Sequence, residues 1–299
     1  MHEDELRVES RFISAPDGLK LHARDYGSAL APGIPVLCLP GLARTAADFD
    51  MIARALASGV AGQPRRVAAL DYRGRGLSAR DPDWKNYDLR VENADILACM
   101  DALGIEEAIF LGTSRGGLHT MMTTATRPGA IRAAILNDIG PVIEAQGLAR
   151  IRGYVGKLPA PHSWEDAVDL VKRVMGAQFP SLGEDEWLAY ARLTFEEQDG
   201  KFAPQYDARL MKTLEAADLE SPLPTAWPQF EGLANVPTLS LRGEHSDLLT
   251  EATVAEMGRR HPRFQAHTVP GQGHAPLLLD APTMAVIADF IAAIDPSEG

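Results

Sequence analysis

Over the first 140 residues, short continuous apolar runs alternate with stretches in which apolar residues recur every three or four positions. The runs read as strands and the stretches as amphipathic helices. Residues 11–15 and 19–26 open the series, and Pro16-Asp17-Gly18 between them predicts a hairpin. Residues 36–39 predict a strand and 46–57 a helix. A strand at 66–70 precedes a helix at 86–103, and a strand at 108–111 precedes a helix at 116–124. A further strand covers 133–136. Strands that are apolar on every residue belong in a parallel sheet covered on both faces. Strand alternating with helix predicts the α/β class.

The rhythm stops between about 141 and 233. Amphipathic helical stretches at 163–175 and 184–195 stand there without strand-like runs, together with Trp164, Trp187 and Trp227, three of the four tryptophans. We read a helical insertion into one domain rather than a second folding unit. The alternation then resumes with strands at 237–241 and 264–269 and helices at 250–259 and 282–293. The expected organisation is core at 1–140, helical insertion at 141–232, and core again at 233–299.

Composition changes this picture little. Of 299 residues, 45% are apolar and 23% charged, enough for a sizeable buried core. The net charge of −12 argues against nucleic acid and anionic membranes as partners and leaves a small molecule as the expected one. No apolar run approaches the ~18 residues of a membrane helix. The acidic start Met-His-Glu-Asp-Glu-Leu-Arg lacks the basic and apolar regions of a signal peptide. Cys38 and Cys99 read as buried small hydrophobes in a reducing, cytoplasmic setting. No CxxC, CxxH or HExxH spacing occurs, so no metal site is expected. Oligomeric state is left open.

The candidate chemistry begins at Gly112-Thr113-Ser114-Arg115-Gly116. This G-x-S-x-G follows a predicted strand and opens a predicted helix, which is what a serine nucleophile on a sharp turn requires. Glycines let strand and helix come close, and the helix N-terminus favours negative charge arriving at Ser114. A serine hydroxyl needs a base. Of eight histidines, His274 alone lies in a glycine-rich turn, Gly271-Gln272-Gly273-His274, after the last predicted strand. A carboxylate must then hold the histidine in one tautomer. Asp247, after the strand at 237–241, is the preferred acid, with Asp138 and Glu244 as rivals at the same edge of the sheet. Backbone N–H groups of Arg115 and of Leu42, in the loop Pro40-Gly41-Leu42-Ala43-Arg44, are the expected oxyanion donors.

Five pieces now stand in order: Leu39-Pro-Gly-Leu42, Asp71-Tyr-Arg-Gly-Arg-Gly-Leu-Ser78, Gly112-Thr-Ser-Arg-Gly-Gly117, Gly243-Glu-His-Ser-Asp247 and Gly273-His274. With them the chain resembles the α/β-hydrolase superfamily, in its lidded branch of esterases, lactonases and C–C hydrolases. The resemblance implies an α/β-hydrolase fold with a mostly parallel eight-stranded sheet flanked by helices. It also implies a helical lid after strand six, a Ser-His-Asp triad and no cofactor. Pro40-Gly41 stands where such proteins often have His-Gly, which leaves the backbone donor in place. Relatives with aspartate as nucleophile, the dehalogenases and epoxide hydrolases, are set aside by Ser114. The 71–78 stretch is expected to brace a loop.

The expected activity is hydrolysis of small to medium carboxylic esters with apolar or aromatic acyl groups. Arg44 and Arg115 could instead bind a substrate carboxylate, which supports C–C bond or lactone hydrolysis as the alternative; each could equally pair with a protein carboxylate. Acyl transfer and a non-catalytic receptor are the remaining classes. A receptor has no need of all three residues.

Overall fold

A computed structural model describes residues 6–215, 218, 221 and 223–295. The first half runs β1 (Val8–Ser14), β2 (Lys20–Tyr26), β3 (Gly33–Leu39), α1 (Asp50–Ser58), β4 (Arg65–Asp71), α2 (Leu89–Leu103), β5 (Ala108–Thr113), α3 (Arg115–Thr126) and β6 (Ile131–Asn137). Then come α4 (Ala145–Tyr154), α5 (Trp164–Met175), α6 (Glu184–Thr194), β7 (Phe195–Gln198), β8 (Lys201–Pro204), α7 (Met211–Glu215) and α8 (Trp227–Glu231). The chain closes with β9 (Thr238–Gly243), α9 (Glu251–Arg260), β10 (Phe264–Val269) and α10 (Ala281–Ala292).

Eight strands form one sheet in the order β1-β2-β4-β3-β5-β6-β9-β10. β1 and β2 pair antiparallel, as do β2 and β4; the remaining pairs are parallel. The apolar runs explain this. In β3, Leu37 and Leu39 face the core shared with α2 and α3, while Val36 and Cys38 face the one shared with α1 and α10. In β5, Phe110 takes the first face, and Ile109 and Leu111 the second. Each large apolar side chain buried in this way contributes about 1.5–3 kcal/mol. A strand with no polar side is stable only where both faces are covered, which places β3, β5 and β6 at the sheet's centre. Their carboxyl ends carry the site.

The segment after β6 departs from the sequence expectation in two ways. It is not wholly helical: β7 and β8 form an antiparallel hairpin, with Asp199 and Gly200 at the turn. Both turn residues have positive φ, 53° and 71°, the geometry that a two-residue Asp-Gly turn supplies. The segment's last helix also packs with the core. Helix α8 packs on α3, and its Phe230 lies in the main core edge-on to Phe264. What remains is a cap of α4–α7 and the hairpin, in which Ile151 of α4 and Met211 and Leu214 of α7 also reach the main core. It has a small apolar centre of its own, including Trp187, Phe179, Phe195 and Phe202.

Cys38 and Cys99 are buried and unpaired, and burial pushes the Cys99 thiol up to about 12. Among the described residues, no helix is long and apolar enough to cross a membrane, and no cluster of His, Cys, Asp and Glu is arranged to hold a metal ion.

Candidate active site

Ser114 sits between β5 and α3 with φ 50° and ψ −111°, a backbone conformation that a non-glycine residue adopts only at a cost of about 1–3 kcal/mol. The turn is this sharp because its flanking glycines permit it. A Cβ on Gly116 would stand 2.0 Å from the Leu39 carbonyl oxygen, and one on Gly112 2.5 Å from the Gly116 backbone. Ser114 is thereby lifted clear at the end of β5. The first N–H groups of α3, which have no partner within a helix, start beneath it.

Ser114 Oγ lies 2.9 Å from His274 Nε2. His274 Nδ1 lies 2.8 Å from Asp138 Oδ2. With its proton on Nδ1, the ring donates to Asp138 and accepts from Ser114. The loop bearing His274 is held on two sides. Gln178, from the cap, accepts from the His274 N–H at 2.8 Å, and Asn137 Nδ2 donates to the Pro276 carbonyl at 2.9 Å. Gln178 carries no motif that sequence reasoning could have used; it follows α5 as an ordinary polar residue.

The preferred acid of the sequence, Asp247, is not the residue that meets His274. Its carboxylate is taken by Arg150 of α4, at 2.6 and 2.8 Å. Asp138 fills the place instead. It follows β6 directly with φ 55°, is fully buried, and also accepts from the Gly243 N–H at 2.8 Å and the Ser246 hydroxyl at 2.6 Å. The reason is register. β6 lies beside β9, Asn137 opposite Leu241, so the first residue after β6 lands against the end of β9 and the His274 loop. The chain after β9 presents Ser246 to that point and turns Asp247 outward to α4. Glu244, the other rival, accepts from the Gly271 N–H and reaches no ring.

The loop expected to supply an oxyanion donor, at Leu42, lies beside Ser114 on the wall of a cavity. The 71–78 stretch braces that loop. Tyr72 donates its hydroxyl to the Pro40 carbonyl at 3.1 Å, Arg75 Nε donates to the Leu42 carbonyl at 2.8 Å, and Asp71 accepts from the Ala46 N–H at 2.7 Å. The expected bracing role is present, extended from the stretch's own turn to the neighbouring loop.

The cavity runs from Ser114 and His274 between core and cap. Its walls are largely apolar, with Ile151, Val155, Val171, Met175, Leu193 and Leu277 among them, while Tyr154, Tyr190 and Tyr206 add rings. The two arginines considered as substrate ligands part ways. Arg115 does not line the cavity: its Nε donates to buried Glu92 at 2.6 Å and its Nη2 to the Tyr87 carbonyl at 3.1 Å. A cation at a helix N-terminus is unfavourable, and Glu92 offsets it. Arg44 does line the cavity, over the Tyr190 ring, but it is bound twice by Asp48 at 2.7 and 2.9 Å and donates to Thr194. Its charge is therefore already matched.

Glu92 also meets His119, 3.1 Å from Nε2. Burial would raise the Glu92 carboxyl, but Arg115 and Arg75 outweigh it and hold the group well below the usual carboxylate range. Burial lowers the His119 pKa, with the bond to Glu92 opposing, and burial lowers that of His261 too. Unfolded, both rings bind a proton as pH falls through about 6.5, whereas the folded rings resist it. Their contribution to stability is full above that value and is lost on acidification toward the lowered folded pKa values. The melting temperature is expected to be lower at pH 5 than at pH 7.5. His119→Gln, which keeps a donor for Glu92 and does not titrate, should narrow the gap; an unchanged gap would exclude His119 as a contributor.

A second array, Ser10–His22–Asp71, repeats the connectivity at the sheet edge, with distances of 3.1 and 2.7 Å. Ser10 lies mid-strand in β1, with no helix N-terminus behind it to stabilise an anion. Connectivity alone does not make a site.

The chain is similar to known proteins over most of its length. The family model described as Alpha/beta hydrolase family matches residues 36–289. The chain is 28% identical to a 3-hydroxybutyrate-oligomer hydrolase of Cupriavidus necator, over 92% of this chain and 94% of that protein. It is 26% identical to a 2-(acetamidomethylene)succinate hydrolase of Mesorhizobium japonicum, over 86% and 85%. The crystal structure of an alpha/beta hydrolase from Novosphingobium aromaticivorans superimposes with a TM-score of 0.86 at 38% identity, covering 95% of this chain and 98% of that one.

Proposed function

Because the chain belongs to the α/β-hydrolase family, we propose that it is a serine hydrolase cleaving carboxylic esters with small to medium, apolar or aromatic acyl groups. The observation that carries the reading is the 2.9 Å contact between Ser114 Oγ and His274 Nε2 on the wall of a largely apolar cavity. His274 takes the Ser114 proton as Oγ attacks the ester carbonyl. Negative charge on the carbonyl oxygen is met by the Leu42 and Arg115 N–H groups, each such donor being worth roughly 3 kcal/mol. Collapse expels the alcohol, which receives the proton from His274, and leaves an acyl group on Ser114. Water, deprotonated by the same ring, then releases the acid. Asp138 holds the imidazole in the required tautomer and stabilises it when charged.

A hydroxy-acid oligoester is a second reading, favoured by Arg44, Asp48 and Thr194 on the cavity wall. They offer donors and an acceptor to a neutral hydroxyl or ester oxygen. The Cupriavidus necator relative is named for that class of compound. The two arginines no longer support recognition of a substrate carboxylate, because Asp48 pairs with Arg44 and Arg115 does not line the cavity, so an oligoester would be held by its ester and hydroxyl oxygens and not by its terminal carboxylate.

The test is rapid-quench hydrolysis of p-nitrophenyl acetate, butyrate and hexanoate, with mass spectrometry of the quenched protein. KM is expected to fall from acetate to hexanoate, and an acyl mass should appear on the peptide containing Ser114. An acyl group on any other residue, or no turnover by folded protein on these esters and on 3-hydroxybutyrate dimers, would defeat the proposal.

A further inference from the structure

The two residues whose N–H groups face the developing oxyanion in this reading lie on different elements, Leu42 on the loop after β3 and Arg115 at the start of α3, yet one buried side chain ties both down. Glu92, in the first turn of α2, is fully buried. Its Oε1 accepts from Arg75 Nη1 at 2.6 Å, and its Oε2 accepts from Arg115 Nε at 2.6 Å. Arg75 spans the remaining gap. The same guanidinium that donates to Glu92 donates through Nε to the Leu42 carbonyl, 2.8 Å away. The fork cannot swing, because it lies 5.5 Å from the centres of both the Tyr72 and the Tyr87 rings and donates again to the Arg73 carbonyl. Leu42 and Arg115 are thus linked through Arg75, Glu92 and the Arg115 side chain.

Charge-assisted bonds between buried groups are short and stiff. Oxyanion donors act only when already in place, because moving them during the reaction would consume the stabilisation they give. A displacement of about 1 Å in such a constellation can lower the rate by roughly 100-fold. We propose that Glu92 is a positioning residue that sets the two halves of the oxyanion hole against each other, resting on the serine-hydrolase reading above. It touches no substrate and acts through Arg75 on Leu42 and through Arg115 on the start of α3.

The experiment measures kcat and KM on p-nitrophenyl butyrate for wild type, Glu92→Gln and Arg75→Lys, with Ser114→Ala alongside. It also measures inhibition by an alkyl boronic acid, whose tetrahedral adduct on the serine fills the oxyanion hole. In Glu92→Gln, kcat is expected to fall about 10- to 100-fold with KM within threefold, and boronate affinity to fall in parallel. Arg75→Lys keeps a cation for Glu92 but has no Nε to hold Leu42, and the same split is expected at smaller size. It carries the test if Glu92→Gln does not fold. Folded variants with kcat and boronate affinity within twofold of wild type would overturn the inference, as would a loss confined to KM. Ser114→Ala separates the two readings. If it is as active as wild type, the serine-hydrolase reading itself fails; if it is inactive while the Glu92 and Arg75 variants match wild type, only the positioning role fails.

Discussion

Replacing Ser114 by Ala is expected to lower kcat on p-nitrophenyl butyrate by about 10⁵- to 10⁶-fold, as loss of the nucleophile does where serine, base and acid act as a unit. KM should stay near its wild-type value, because the apolar walls that receive the acyl chain are unchanged. Ser114→Gly should be equally inactive yet more stable. At φ 50° and ψ −111°, serine is held in a conformation that glycine adopts freely, and relief is expected to stabilise the fold by about 1 kcal/mol. In a chain of this length that is a rise in melting temperature of about 2 °C. Activity surviving in Ser114→Ala would place the nucleophile elsewhere. A Gly variant less stable than wild type would mean that the hydroxyl's bond to His274 outweighs the strain.

The central strands were legible because they are apolar on every residue, a pattern stable only when both faces are covered. Their limits shift by one to three residues in the structure, as in β3 and β5, because hydrogen bonding to neighbours continues past the apolar run. Ser114 and His274 were legible because each sits in a glycine-marked turn, Ser114 directly after β5 and His274 five residues past β10. The cap was harder to read. Helix α4, with Gly147 and Gly153 inside ten residues, has little helical propensity of its own. Tertiary packing holds it: a Cβ on Gly147 would stand 2.8 Å from the Asp247 carbonyl oxygen, so helix and loop are in contact there. The β7–β8 hairpin carried only the Asp199-Gly200 turn as a local signal, because its flanks, Phe195-Glu-Glu-Gln198 and Lys201-Phe-Ala-Pro204, hold mostly residues that strands disfavour. Glu92 carried none, since a glutamate within an amphipathic helix reads as solvated until the arginines from two other segments are seen to converge on it.

Asp247 failed for a reason that applies wherever two acids follow neighbouring strands. Sequence places both at the same edge and cannot say which the histidine will face; that depends on how far each loop turns before its carboxylate appears. Asp138 is one residue past its strand and Asp247 four past β9, so the structure gives the short connection to the ring and the long one to Arg150. The two assignments predict opposite results. Asp138→Asn removes the charge that stabilises the imidazolium and presents an amide that favours the wrong tautomer, and kcat is expected to fall about 10³- to 10⁴-fold with the fold retained. Asp247→Asn breaks a partly exposed ion pair with Arg150, worth about 0.2–1 kcal/mol, and should leave kcat within about threefold of wild type. Ser246→Ala removes one hydrogen bond to the Asp138 carboxylate and should fall between them. Steady-state kinetics of the three variants on one activated ester decides the matter: a larger loss in Asp247→Asn than in Asp138→Asn would restore Asp247 as the acid and require the His274 loop to rearrange when substrate binds.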